Sequence, residues 1–215
     1  MWGIFRQHHY LSADFNKAAD VYLIYWDDTL IGLRGVLTYP NGAIKYGYRG
    51  HRLVILPDYQ GLGIGTKVYD FIAKMYIDKG LKFYGRSTHI RLYRHWSNSK
   101  EYVETARSNN AVKTNDQSHK FKNMVLNRVA YSFEYVGSDY YNKPHKTIVV
   151  DDGDVITKDE LLKLKEDYYL TVVTGKPKVD NETELLCKEL GIRTELLYRN
   201  VKDKLVRKNV LNLQR

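Results

Sequence analysis

The stretch LVILPDYQGLGIGTKV, residues 53–68, decides the interpretation of this chain. Its first residues are the end of HRLVILP (51–57), a short apolar run ending in proline. Such a run is typical of a central strand buried on both faces. A glycine-rich turn follows. A helix is then predicted from Thr66 to Gly80, with its apolar residues at helical spacing: Val68, Phe71, Ile72, Met75 and Tyr76. This order points a run of backbone N–H groups outward at the positive end of a helix dipole, a geometry that binds phosphate.

Two well-known nucleotide-binding loops can be tested against this turn by counting. A dinucleotide fingerprint G-x-G-x-x-G that starts at Gly61 needs glycine where Thr66 stands, and one that starts at Gly63 needs glycine at Val68. A phosphate-binding loop of the G-x-x-x-x-G-K-[ST] type needs lysine directly after its last glycine, but Gly65 is followed by Thr66 and then Lys67. Both nucleotide interpretations are therefore excluded.

What remains is Q-x-x-G-x-G after a strand ending in Leu-Pro, and it resembles the acyl-CoA signature of the GNAT superfamily of N-acyltransferases. The resemblance implies an α/β fold with a mixed, mostly antiparallel central sheet flanked by helices, and acetyl-CoA or another acyl-CoA as cofactor. It also implies that the turn amides hold the CoA pyrophosphate and that the preceding strand edge pairs with the pantetheine arm. The residues concerned are Gln60, Gly61, Leu62, Gly63, Ile64, Gly65 and Thr66 in the turn, and Val54, Ile55 and Leu56 in the strand.

The rest of the chain has the alternating elements of a mixed α/β protein. A hairpin is predicted from 21–26 and 33–39, and further strands from 82–88 and 128–137, whereas 97–124 is polar and poorly periodic. The tail contains helical and extended patterns in alternation, in DELLKLKEDYY, YLTVVTG, NETELLCKELG and RTELLYR. We therefore predict a GNAT-like acyl-CoA-binding catalytic domain over 1–150 and a small α/β extension of unknown role over 151–215.

The net charge of +9 is unevenly distributed. Residues 151–215 carry equal numbers of acidic and basic side chains, so the whole excess belongs to 1–150. Residues 82–128 hold ten Lys or Arg against three Asp or Glu, with histidines and aromatic residues interleaved. That mixture indicates either a solvated basic face or a surface that binds a nucleic-acid backbone and stacks bases.

After the helix the sequence departs from common GNAT enzymes. Many members carry an N-x-x-A stretch and a tyrosine that protonates the leaving thiolate, but here FYGRSTHIRLYRHWSNSKEYV (83–103) stands in that place. The general acid is therefore not located, and Tyr102 and Tyr135 are candidates. FRQHHYLS, HRLVILPDYQGLGIG, GRSTH and SFEYVG together resemble, more loosely, the phage and bacterial Mom-type proteins that modify adenine in DNA.

That second resemblance implies an exocyclic amine of a DNA base as acceptor, and it directs attention to residues near the expected acyl site. His8, His9 and Tyr10 form the densest titratable cluster and could supply a general base, a metal site or only a surface pair. The catalytic candidates are His9, Tyr10, Ser87 and Tyr135. The substrate-binding candidates are Arg86, His89, Arg91 and Arg94.

Two other functions stay open: acetylation of a small-molecule or protein amine, and a GNAT core that binds DNA without catalysis. No apolar run approaches the length of a membrane span, and the start lacks the pattern of a signal peptide, which predicts a cytoplasmic protein. Cys187 is the single cysteine, so no disulfide framework is expected.

Overall fold

A computed structural model of the chain describes residues 2–8, 15–39, 44, 46–105, 108, 110–111, 129–150, 155–174, 182–196 and 211–212. Within these residues the first sheet contains seven strands. They are β1 (Asp20–Trp26), β2 (Thr29–Thr38), β3 (Gly47–Ile55), β4 (Lys82–Ser87), β5 (Tyr102–Glu104), β6 (Asn110–Ala111) and β7 (Val129–Tyr135).

The order of this sheet is β1-β2-β3-β4-β7-β5, with β6 also on β7. β3 and β4 run parallel, and the other neighbours are antiparallel. The predicted hairpin, the central strand and the strands over 82–88 and 128–137 are thus confirmed. The hairpin turn is tighter than predicted, because β2 already begins at Thr29.

Helices cover both faces of the first sheet. Helix α2 (Ile64–Ile77) packs Tyr69, Ile72 and Tyr76 onto one face, and α3 (Ile90–Asn98) adds the fully buried Trp96 to the same core. On the other face, α1 (Trp2–Arg6) contributes Phe5 to a smaller cluster with Leu33 and Val54. Because alternate residues of β3 enter these two cores, the strand is buried on both sides.

The second sheet is parallel throughout, in the order β10-β9-β8-β11. Its strands are β8 (His145–Val150), β9 (Tyr169–Thr174), β10 (Arg193–Leu196) and β11 (Leu211–Asn212), and the short α4 (Asp139–Asn142) precedes it. Helices α5 (Lys158–Asp167) and α6 (Glu182–Glu189) connect strands and share a core that includes Leu161, Val172 and Cys187. The α/β character of the tail is confirmed.

Strand β8 lies on the amino-terminal side of the predicted division at residue 150, yet it pairs only within the second sheet among the described strands. The second sheet contacts the first through β10, whose Arg193 and Glu195 reach Glu134 of β7 and Lys82 of β4. A cavity of about 520 Å³ lies between the two units. Among the helices of the described residues, none combines the length and apolar character needed to span a bilayer.

Candidate active site

The candidate site starts at the turn between β3 and α2. After Ile55, a 3₁₀ turn at Pro57–Tyr59 leads to Gly61 and Gly63, whose φ angles are 85° and 77°. Both lie in the left-handed region that glycine adopts without a Cβ penalty. A Cβ at either position would meet nothing within 4 Å, so the turn borders open space. The glycines are needed for the backbone path, and the space in front of them is free for a ligand.

The turn leaves a set of backbone amides without helical acceptors. Gly63 is the N-cap of α2, and the first bond across this end runs from Lys67 N to Gly63 O at 3.2 Å. The N–H groups of Ile64, Gly65 and Thr66 therefore have no intrahelical partner. No acidic residue stands in the first turn of α2. An anion placed there meets the positive end of the helix dipole and several donors.

Side chains in the turn hold its shape and leave the amides free. Gln60 Nε2 donates to the Ile55 carbonyl oxygen at 2.7 Å, and Thr66 Oγ1 donates to the Gly63 carbonyl oxygen at 2.8 Å. Leu62 is 61% exposed at the tip. Gln60 and Thr66 thus shape the turn from within, and its backbone is the surface offered to a ligand.

A gap between β3 and β4 begins near the turn. The two strands pair over three residues each, from Gly47 opposite Lys82 to Arg49 opposite Tyr84. Beyond that point β3 continues to Ile55 and β4 to Ser87, while β4 stays paired with β7 on its other edge. A bulge in β3, between Gly50 and Leu53, accompanies the divergence. The facing edges form a slot that an extended ligand could enter from the turn.

The amino-terminal candidates are only partly within the described residues. His8 follows the helix α1 and is half-buried, and its Nε2 lies 3.1 Å from Gln7 Nε2. His8 thus lies in the turn that ends this helix. His9 and Tyr10 lie outside the described residues. Within the described part of the chain, no group of three or more His, Cys, Asp or Glu side chains could hold a metal.

The candidates at the end of β4 organise the start of α3. Ser87 Oγ accepts a hydrogen bond from the His89 amide at 3.0 Å, and His89 Nδ1 accepts one from the Arg91 amide at 3.3 Å. His89 is therefore the N-cap of α3. Arg86, Arg91 and Arg94 are exposed near this point. The structure thus places these five residues at the end of β4 and in the helix that follows it.

The amino-terminal sequence matches a known protein family. Residues 2–96 match the model of the "Acetyltransferase (GNAT) family". This match, which covers less than half of the chain, is a similarity to that family. The chain has the GNAT fold, a mixed and mostly antiparallel sheet flanked by helices, with the glycine turn between a central strand and its helix. A search of curated proteins gives no match.

Several solved GNAT structures are similar to this chain. A GNAT acetyltransferase from Elizabethkingia anophelis with acetyl-CoA bound is 14% identical, with a TM-score of 0.41 over 56% of this chain and 77% of that one. An acetyltransferase from Bacillus subtilis in complex with CoA is 12% identical, with a TM-score of 0.42 over 56% and 78%. The ribosomal-protein-S18-alanine N-acetyltransferase from Escherichia coli is 11% identical, with a TM-score of 0.42 over 61% and 83%.

The tyrosines considered for the GNAT general acid lie in the core. Tyr135 is 3% exposed and pairs with Phe83 near the start of β4. Ser87 lies at the other end of that strand. Tyr102 is 4% exposed and donates to Asp70 Oδ1 at 2.5 Å. Burial, followed by the nearby Asp70 carboxylate, raises the pKa of Tyr102. The structure buries both tyrosines in the core that α2 and α3 form against the sheet.

Two residues near the slot were absent from the candidates. Arg34 of β2 and Tyr69 of α2 meet where β3 and β4 part. Arg34 interrupts the apolar run of β2, and a charged residue inside a predicted strand is the signal that could have identified it. Tyr69 carries no comparable signal, because an aromatic residue in a helix is ordinary core.

Proposed function

We propose that the protein is an acyl-CoA-dependent N-acyltransferase with acetyl-CoA as donor. The observation that carries the proposal is the glycine turn of residues 60–66, with its unpaired amides, at the mouth of the slot between β3 and β4. A CoA thioester has the matching parts: an anionic pyrophosphate, an extended arm with amide groups, and a reactive acyl end. The family match of residues 2–96 supports this assignment.

In this proposal the chain binds and orients both reactants. The amides from Gly61 to Thr66 hold the pyrophosphate, and the free edges of β3 and β4 hold the arm, so that the thioester lies between the strands. An amine attacks the thioester carbonyl carbon, a C–N bond forms, and the C–S bond breaks. The amine proton passes through solvent to the leaving thiolate.

Direct transfer from the thioester to the amine fits the surroundings of the single cysteine. Cys187 is fully buried in the core of the second unit, where burial, followed by Glu184, raises the pKa of its thiol to about 12. A thiol with that pKa is protonated at neutral pH and is a poor nucleophile. An acyl-enzyme on Cys187 is therefore not part of the proposal.

We expect Cys187 to stay unreactive toward a thiol reagent such as DTNB until the protein unfolds. Cys187→Ala should keep its acetyl-CoA affinity while losing about 1–2 kcal/mol of stability, since a small buried side chain leaves a small cavity. Rapid modification of the native wild-type thiol, or acetylation of Cys187 detected by intact mass after incubation with acetyl-CoA, would contradict direct transfer.

The donor is tested by binding and by thiol release. Calorimetric titration with acetyl-CoA and CoA should give saturable binding to the wild type, competitive with 3′-phosphoadenosine diphosphate. Release of the CoA thiol from acetyl-CoA in the presence of candidate amines then separates an enzyme from a binding module. Absence of binding to either CoA species at millimolar concentration would overturn the proposal.

For the acceptor, we propose a nucleic-acid base, with adenine in DNA as the finer hypothesis. The support is the exposed Arg86, Arg91 and Arg94 beside the end of β4, next to an open depression of about 330 Å³. The described residues that line the depression are Thr88, Ile90, Val129 and Tyr131. Exposed arginines on the same segment as a depression with a tyrosine, Tyr131, in its wall suit a base extracted from the stack. None of the similarities found indicates the Mom-type branch.

The acceptor hypothesis has two direct tests. In the first, nucleosides are prepared from the DNA of cells that express either the wild type or His9→Ala, and are analysed by mass spectrometry. A new adenosine mass should be found with the wild type and should be absent with His9→Ala. Replacing Arg91 and Arg94 by Ala should lower the salt slope of DNA binding by about two, because each phosphate contact contributes about one. An unchanged slope together with unmodified nucleosides would leave small-molecule and protein amines as the acceptors to examine.

A further inference from the structure

The slot between β3 and β4 closes at a pair of glycines. Gly50 and Gly85 are the first residues beyond the last ladder pair, Arg49 opposite Tyr84. A Cβ at Gly50 would lie 1.8 Å from Arg34 Nη2, and a Cβ at Gly85 would lie 2.2 Å from the Tyr69 hydroxyl oxygen. The two glycines thus admit an arginine and a tyrosine at the apex of the slot.

Arg34 at this apex carries unused hydrogen-bond donors. Arg34 is only 3% exposed to solvent. Its Nε and Nη2 atoms have no hydrogen-bond partner among the described residues. The guanidinium lies over the Tyr69 ring, with Cζ 4.2 Å from the ring centroid. No carboxylate of the described residues forms an ion pair with it, and its burial lowers the pKa of Arg34.

Such an arrangement is costly unless a ligand completes it. A buried donor without an acceptor costs about 1–3 kcal/mol, and more when the group is charged. A guanidinium presents its N–H groups in a rigid fork and keeps its charge, so it suits an oxygen that carries or develops negative charge. In a site shielded from water, that attraction is stronger than in solution.

Resting on the proposed function, we infer that Arg34 is a catalytic residue that receives the carbonyl oxygen of the bound thioester. When the amine attacks the carbonyl carbon, the π electrons move onto this oxygen, and the Arg34 N–H groups stabilise the oxyanion. The electrons then re-form the carbonyl as the C–S bond breaks, and the thiolate takes the proton lost by the amine. Tyr69 is a positioning residue, because its ring supports the guanidinium from below.

The first readout is the acyl carbonyl itself. Acetyl-CoA labelled with ¹³C at the acetyl carbonyl is bound to the wild type, and its NMR resonance is expected to move downfield because the guanidinium polarises the bond. In Arg34→Met the shift should disappear, while the affinity for CoA, which has no acyl group, should change by less than about threefold. Arg34→Lys restores a cation and should recover part of the shift.

The second readout is the rate of thiol release from acetyl-CoA, with hydroxylamine as the probe nucleophile. Arg34→Met is expected to lower this rate about 10²–10³-fold, the usual effect of removing one oxyanion donor, with little change in KM for acetyl-CoA. Arg49→Met is the matched control, since Arg49 is exposed and adjacent to Gly50. The control should keep both the shift and the rate.

Folding is checked by thermal unfolding of each variant, and Arg34→Met should be at least as stable as the wild type because it removes an unpaired buried charge. If Arg34→Met fails to fold, Arg34→Gln provides the same comparison with a neutral side chain. An equal carbonyl shift in wild type and variant, with CoA bound by both, would overturn the role of Arg34 and leave the proposed function standing. Absence of CoA binding by the wild type would instead overturn the proposed function.

Discussion

Gly63→Glu is expected to abolish acetyl-CoA binding while leaving the chain folded. Gly63 has a φ of 77° and a Cβ there would meet nothing within 4 Å, so glutamate fits sterically at a backbone cost of about 1–2 kcal/mol. A carboxylate at a helix N-terminus is itself favourable. It would nevertheless stand where the proposed pyrophosphate binds, and like charges brought together in an interface cost several kcal/mol. We expect a loss of affinity of more than about 100-fold, since each 1.4 kcal/mol is tenfold.

Phe71→Glu is the control that separates repulsion of the pyrophosphate at the turn from the general effect of adding a carboxylate to α2. Phe71 is 66% exposed on the same helix, so this variant adds an equal charge to α2 away from the turn. When both variants are titrated calorimetrically with acetyl-CoA, only Phe71→Glu should keep the affinity of the wild type. Gly63→Ala, which adds strain without charge, should fall between them. Full affinity in Gly63→Glu would remove the turn from the proposed site.

The turn was predictable because its determinants are local. Pro57 restricts its own φ, Gly61 and Gly63 adopt positive φ angles that few other residues adopt, and the apolar runs on either side identify a strand and a helix. The family resemblance carried by these residues agrees with the match over 2–96. The backbone path of such a turn can therefore be predicted from sequence, even though no side chain in it has distinctive chemistry.

Helix α3 was not predicted, and the reason lies in its composition. Arg94 and His95 separate its buried residue Trp96 from the partly buried Leu92 and Tyr93, and Arg91 precedes them, which makes the segment look polar. It is capped by His89, an uncommon choice that gives no start signal. In α2, conversely, Phe71 was placed on the apolar face and is exposed. Tyr69 and Tyr76 carry the packing, because the sheet decides which side of the helix is covered.

Arg34 and the docking of the second unit depend on contacts distant in sequence. Arg34 meets Tyr69 and Gly50 only after β2, β3 and α2 have assembled, and no spacing rule connects these positions. In the same way, β10 of the carboxy-terminal unit reaches residues of β4 and β7. The net charge of 151–215, which is zero, does not predict such contacts. They depend on the positions of a few individual charges and not on the sum of all charges in the segment.

Arg193→Ala is expected to destabilise the protein by about 1–4 kcal/mol, because its ion pairs are part-buried and lie between the cost of an exposed pair and that of a fully buried one. Arg193 donates to Glu134 on β7 and, at 2.7 Å, to Glu195 on its own strand, while Lys82 on β4 reaches Glu195 at 2.7 Å. Lys82 is 4% exposed. Without the guanidinium, two carboxylates would remain in the interface with one lysine between them. Urea unfolding at pH 7 measures the difference.

The pH dependence should change in the same variant. Burial acts to raise the pKa of Glu195, but Arg193 and then Lys82 outweigh it and lower the pKa below the ordinary value. A carboxyl with a depressed pKa contributes stability above its ordinary pKa, and that contribution is lost as the pH falls through the folded-state pKa. The free energy of unfolding of the wild type should therefore decrease on acidification. The decrease should be shallower in Arg193→Ala, because one of the two cations that lower the pKa is gone.

Lys158→Ala provides the control for this prediction. Lys158 pairs with Glu189 in the same unit, but both side chains are more than half exposed, so the loss should be below about 1 kcal/mol. An Arg193→Ala loss as small as this would contradict a stabilising role for the Lys82, Glu134, Arg193 and Glu195 cluster. If instead Arg193→Ala splits the single unfolding transition into two, the second unit melts separately once the cluster is broken. That result would place the domain division where the strand pairing changes, before β8, because the first sheet would remain folded without β8 to β11.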